Sequence, residues 1–147
     1  MKAALTLFAL GLSLAICRSA DATPPCQQVQ AKGVGQDHGN GTTTAAIVGG
    51  PLSGTSTASF AIVAVVNGVA TLDGHVDFAT SSGDLTVQVT GSFDLTTGKF
   101  NVSGPVIQGT GSLAGASGTL FFQGVEDFST GQFSEKVSGK ICRGVEC

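Results

Sequence analysis

The sequence predicts an all-β protein, an eight-stranded antiparallel up-and-down barrel, with a β-sandwich as the alternative. Three observations carry this. Glycine fills 22 of 147 positions, about twice its usual share, and shows no collagen-like period. Short β-branched runs recur between the glycines, and their apolar residues alternate with polar ones at the period of two that a pleated strand imposes. No convincing helical period appears after the N-terminal apolar run.

That run, Ala3 to Ile16 behind Met1 and Lys2, is too short to span a bilayer but suits the apolar core of a signal peptide. Ala20-Asp21-Ala22 supplies the small-x-small pattern for cleavage. The expectation is a signal peptide over 1–22 and one barrel domain over 23–147, placed outside the cell or in a periplasm. A lipid anchor at Cys17 is the rival, disfavoured by the large β-branched Ile16 before it.

Strands are predicted at 28–34, 42–48, 57–66, 69–79, 85–93, 99–107, 117–125 and 132–141. The first two flank "DHGNGT", a Gly-rich turn holding Asp37 and His38. "STASFAIVAVV" is apolar on both faces, so it is either the most buried strand or one that packs outward against a partner. "GVATLDGHVDFAT" and "DLTVQVTGSF" alternate and are separated by "SSGD", a hairpin signal. In the latter, Leu85, Val87 and Val89 alternate with Thr86, Gln88 and Thr90. The last four strands contain a weak repeat: "GSFDLTTGKFNVSG" aligns with "GVEDFSTGQFSEKVSG", pairing Asp94 with Asp127, Thr97 with Thr130, Gly98 with Gly131 and Phe100 with Phe133. Each copy reads as strand, turn, strand, with Asp accepting from turn N–H groups and Gly at a positive φ. Closing such a barrel brings the first and last strands together. Cys26 precedes the first and Cys142 comes after the last, so a Cys26–Cys142 disulfide is predicted, with Cys147 the alternative partner for Cys26.

"GTGSLA", from Gly109, satisfies a dinucleotide-binding spacing. That motif needs a helix after the second glycine to meet the phosphates. Here Gly115, Gly118 and Gly124 interrupt the segment that would form it, each costing a helix about 1 kcal/mol. A turn between strands is the better reading. It places Leu113, the only large side chain between Gln108 and Leu120, into one barrel end, with Gly109, Gly111, Gly115 and Gly118 permitting close backbone approach. "GTGSLAGASG" and the "TLFFQGVEDFSTGQFSEKVSG" after it resemble the closing half of the allene oxide cyclase barrel-like group, which includes dirigent-like proteins. The group's G-T-G-x-[FL]-x-x-A-x-G pattern falls on Gly109, Thr110, Gly111, Leu113, Ala116 and Gly118. The resemblance covers about residues 85–141 and implies the same eight-stranded barrel; no catalytic or pocket residue of that group has a counterpart here.

Charge excludes some partners. Without Lys2, Arg18 and Asp21, five Lys and Arg face nine Asp and Glu, an acidic balance that argues against nucleic acid. The absence of Trp and Tyr argues against an outer-membrane barrel, which needs aromatic girdles, and no integral membrane association is expected. No cofactor or metal motif is present. Two constellations remain. Asp73, His75 and Asp77 share one strand face, either a solvated outer surface or, if inward, an acid/base or weak metal cluster. Phe60, Ile62, Phe93, Phe121 and Phe133 are the candidate lining of an interior that binds a small apolar ligand. Three roles are therefore open: a non-catalytic barrel binding such a ligand or a partner surface, a structural protein with a packed barrel, and an isomerase or cyclase-type enzyme.

Overall fold

The computed structural model describes residues 25–144. The expected signal peptide, its cleavage site, Cys17 and Cys147 lie outside the described residues. The fold is a closed antiparallel barrel in which each strand pairs with its sequence neighbours and the last pairs with the first. The strands are β1 (Cys26–Asp37), β2 (Thr42–Val48), β3 (Gly54–Val66), β4 (Val69–Thr80), β5 (Gly83–Asp94), β6 (Lys99–Gly109), β7 (Ser117–Glu126) and β8 (Gln132–Cys142). Single 3-10 turns, Gly50–Leu52 and Gly111–Leu113, interrupt the β2–β3 and β6–β7 connections. Closure leaves no full-length free edge, which is how such barrels escape edge-to-edge aggregation.

Alternation decides which side chains meet inside. Val29, Ile47, Val76, Phe78, Leu85, Val87, Val102, Leu120, Phe122 and Val137 are buried, each at an inward position of its strand. Phe78 and Phe122 stack at the centre, with ring centroids 6.0 Å apart. The outward positions are largely polar, among them Gln30, Lys32, Thr57, Gln88, Asn101 and Lys136, all at least partly exposed. A lipid-facing barrel shows the reverse pattern. No helix among the described residues is long and apolar enough to cross a membrane.

The two ends differ. One end carries the β2–β3, β4–β5 and β6–β7 connections and is plugged. Leu52 and Leu113, one from each 3-10 turn, are buried there. "GTGSLAGASG" builds the second plug: no helix beyond the 3-10 turn succeeds Gly111, whose φ of 58° lets the chain reverse. Ser112 N–H then donates to the Ser82 carbonyl (2.8 Å), and Thr110 N–H to that of Asp84 (2.9 Å), docking the turn on the β4–β5 hairpin. A side chain at Gly109 would strike the Leu113 carbonyl, and one at Gly118 the Lys140 carbonyl. Gly115 passes the Gly144 backbone, its absent Cβ 3.5 Å from that Cα. At the same end Cys26 and Cys142, directly paired across β1 and β8, form the expected disulfide.

The repeat becomes two matching turns at the opposite end. Asp94 Oδ1 accepts from Thr96 N–H (2.8 Å) and Thr97 N–H (3.0 Å); Asp127 Oδ1 accepts from Ser129 N–H (2.9 Å) and its hydroxyl (2.6 Å). Gly98 and Gly131 close the turns at φ 76° and 72°. "STASFAIVAVV" is not the most buried strand. β2 pairs with β3 only as far as Thr42↔Ser59, so the tip of β3 outruns its neighbour, and Ile62, Val63, Val65 and Val66 are exposed. No partner strand covers that side within the described residues. β3 and β4 are joined through Asn67 and Gly68, both at positive φ, as a two-residue hairpin turn requires.

Candidate functional site

The end opposite the plugs is open, and a cavity of about 250 Å³ enters the barrel there. Its floor is Val76, Val102 and Phe122, and its walls are Phe60, Leu72, Phe93, Phe100 and Phe133. Five of the nine Phe of the chain therefore line one chamber. Glycines on adjacent strands make the space for these rings. A side chain at Gly35 would collide with the Phe133 ring, one at Gly124 with the Phe100 ring, and one at Gly74 would come within 2.9 Å of the Phe60 ring. Phe100 and Phe133 meet edge to face, with centroids 5.9 Å apart, a favoured aromatic geometry.

Of the residues expected to line an apolar interior, Phe60, Phe93 and Phe133 do so, and Ile62 sits at the lip, 59% exposed. Phe121 does not. It lies on the outer face, 45% exposed, while Phe122 takes the inward position at 2%. Adjacent residues of a strand face opposite ways, and Leu120, Phe122 and Gly124 set the inner face of β7. Phe128 extends the apolar rim: it is half exposed and meets Phe93 edge to face at 5.8 Å.

The acidic groups of the chamber are the feature that sequence reasoning misses. Asp37 ends β1, Glu126 ends β7 and Glu135 is the fourth residue of β8, and all three line the cavity. Among the described residues, no Lys, Arg or His lines it. Glu135 lies across from Gly33 on β1 and from Gly124 on β7, so its carboxyl is admitted by two neighbours without side chains. A Cβ at Gly33 would lie 2.8 Å from Glu135 Oε1. Burial pushes the Glu135 pKa from 4.5 up to about 7, because an apolar wall penalises the ionised form. Burial also raises the pKa of Glu126, with a second push from the Asp37 charge. A signal is present in the sequence: Phe133, Val137 and Ile141 mark the inner face of β8, and Glu135 shares their parity.

Asp73, His75 and Asp77 lie on the outside of β4. His75 Nε2 is 3.4 Å from Asp77 Oδ2, with both side chains nearly half exposed. Thr86 Oγ1 donates to Asp77 Oδ1 at 2.6 Å, and Gln88 Nε2 to the Gly74 carbonyl at 2.8 Å. These are cross-strand contacts of a solvated surface, and Leu72, Val76 and Phe78 occupy the inner face. Asp37 and His38 form the β1–β2 turn: Gly39 N–H donates to Asp37 Oδ1 (2.7 Å) and His38 Nε2 lies 3.0 Å from Thr44 Oγ1. No group of three or more metal-ligating side chains occurs among the described residues. No family model, curated protein or solved structure matches the chain.

Proposed function

We propose that this protein is a binding module that takes a small, mainly apolar molecule into the open end of its barrel. The observation that carries the reading is the chamber itself: five Phe rings line it at one end, while Leu52, Leu113 and the disulfide close the other. Its volume, about 250 Å³, is just below the usual range for small-molecule pockets, and the lining is of the usual kind. The lip is apolar too, with Ile62, Leu95 and Phe128 exposed, so a ligand would pass from one apolar contact to the next. An unfilled interior speaks against a barrel packed throughout, and the outward position of Asp73, His75 and Asp77 removes the cluster that would favour an enzyme. The disulfide supports an oxidising compartment, in keeping with secretion.

The test is calorimetric titration with 1-octanol, a neutral probe, on the native chain and on Ala58→Phe. Ala58 is buried beside the chamber, so a ring there occupies it. The expected outcome is saturable heat with the native chain, and loss of at least about tenfold in affinity for the variant, with its β-type circular dichroism retained. Absence of octanol binding by the native chain would overturn the reading.

A further inference from the structure

We infer that the chamber selects a cationic amphiphile, an organic ammonium carried on an apolar body; this rests on the binding role proposed above. The first observation is the pairing of chemistries in one space. Phe60, Phe93, Phe100 and Phe133 line the chamber together with Asp37, Glu126 and Glu135. Aromatic faces attract ammonium groups through their quadrupoles, and carboxylates attract them by charge. The second observation is the position of Glu135. It stands inside the wall, opposite Gly33 and Gly124 and with its side chain over Gly33, and no cation among the described chamber residues balances its charge.

An anionic ligand meets the opposite situation. With no Lys, Arg or His among the described residues of the lining, a fatty-acid carboxylate would be desolvated beside three carboxyls with nothing to balance it. The charged groups that share the chamber with Glu135 are all of one sign: Asp37 from β1 and Glu126 from β7. The inward residues of β2, Thr43, Ala45 and Ile47, are uncharged, and Lys136 and Lys140 on β8 itself point outward, away from the chamber. An ammonium supplies the missing counter-charge. Because Glu135 ionises only near pH 7, ammonium affinity rises as pH increases through that value and falls below it.

Three probes of equal chain length separate the possibilities: octyltrimethylammonium, octanoate and 1-octanol, titrated by calorimetry into the native chain at about pH 8 and about pH 5.5, either side of the Glu135 titration. The expected result is octyltrimethylammonium bound about tenfold more tightly than octanol at the higher pH and octanoate bound most weakly. The ammonium preference shrinks at the lower pH, and in Glu135→Gln most of that pH dependence, read as the ratio of ammonium to octanol affinity, is lost. A readout that needs no variant is the carboxyl carbon shift of Glu135 in the native chain: its titration midpoint drops with the ammonium bound and stays put with octanol. Equal affinity for all three probes, or tighter octanoate, would overturn cation selection and leave apolar binding standing. No binding of any probe would overturn both.

Discussion

At the scale of single residues, the barrel interior holds one side chain at odds with its surroundings, and that side chain has a measurable signature. Glu135 titrates near 7 in the folded protein and at the ordinary carboxylate value when unfolded. Between those values the folded state holds the extra proton, so its contribution to stability is full below about pH 4.5, declines as pH rises towards 7 and levels off above it. A shift of this size corresponds to a change on the order of 3 kcal/mol. Glu126, also raised, adds to the same trend. Asp94 and Asp127 act oppositely: turn hydrogen bonds hold them below the usual range, so their contribution is lost only as pH falls further. Urea unfolding midpoints between pH 4.5 and 7.5 should therefore fall with rising pH in the native chain. In Glu135→Gln most of that slope should vanish; an unchanged slope would mean the carboxyl is not desolvated as its position implies. Glu135 is hard to see in the sequence because "FSEKVSG" reads as a polar surface until Phe133 and Val137 fix the parity. Phe121 misleads for the same reason: "LFF" presents two rings in succession, and only the strand register says which one enters.

At the scale of elements, much is legible, because alternation, turn residues and cysteine placement are local signals. The strand expected at 85–93 is β5, Gly83–Asp94, and the one expected at 42–48 is β2, Thr42–Val48. The two Asp-led turns are equally visible in the repeat. What a repeat does not reveal is how differently its two copies are hemmed in. Gly98 and Gly131 share a positive φ, yet a Cβ at Gly98 collides with the Glu126 carbonyl, whereas at Gly131 the nearest atom, at 2.7 Å, is the flexible side-chain amide of Gln36. Gly98→Ala should thus cost about 2–3 kcal/mol and Gly131→Ala about 1 kcal/mol, read as separate shifts of the urea midpoint. Equal losses would mean that conformational strain alone, without the backbone contact, sets the cost. The β3 tip shows the limit of local reading. Its double-sided apolar pattern is visible in the sequence, but its exposure depends on where β2 stops pairing.

At the scale of the whole molecule, the barrel divides its tasks between its ends. Closure, the two leucine plugs and the Cys26–Cys142 bond lie together at one end, and the aromatic chamber opens at the other. The disulfide joins residues 116 apart in sequence, so in chain-entropy terms it restricts the unfolded chain by about 4–5 kcal/mol. In the folded state it joins strands already paired from Cys26↔Cys142 to Gln36↔Gln132, so the barrel does not depend on it for its shape. Stability and binding should accordingly separate. A Cys26→Ser, Cys142→Ser double variant should unfold at markedly lower urea concentration, yet at temperatures where it remains folded it should bind octanol as the native chain does, because the chamber residues cluster at the far end. The pairing of the two measurements is what tests the division. A parallel loss of affinity in a chain whose circular dichroism shows an intact barrel would mean that strain at the closed end reaches the chamber through β1 and β8, the strands that carry both the cysteines and, further along, Asp37, Phe133 and Glu135.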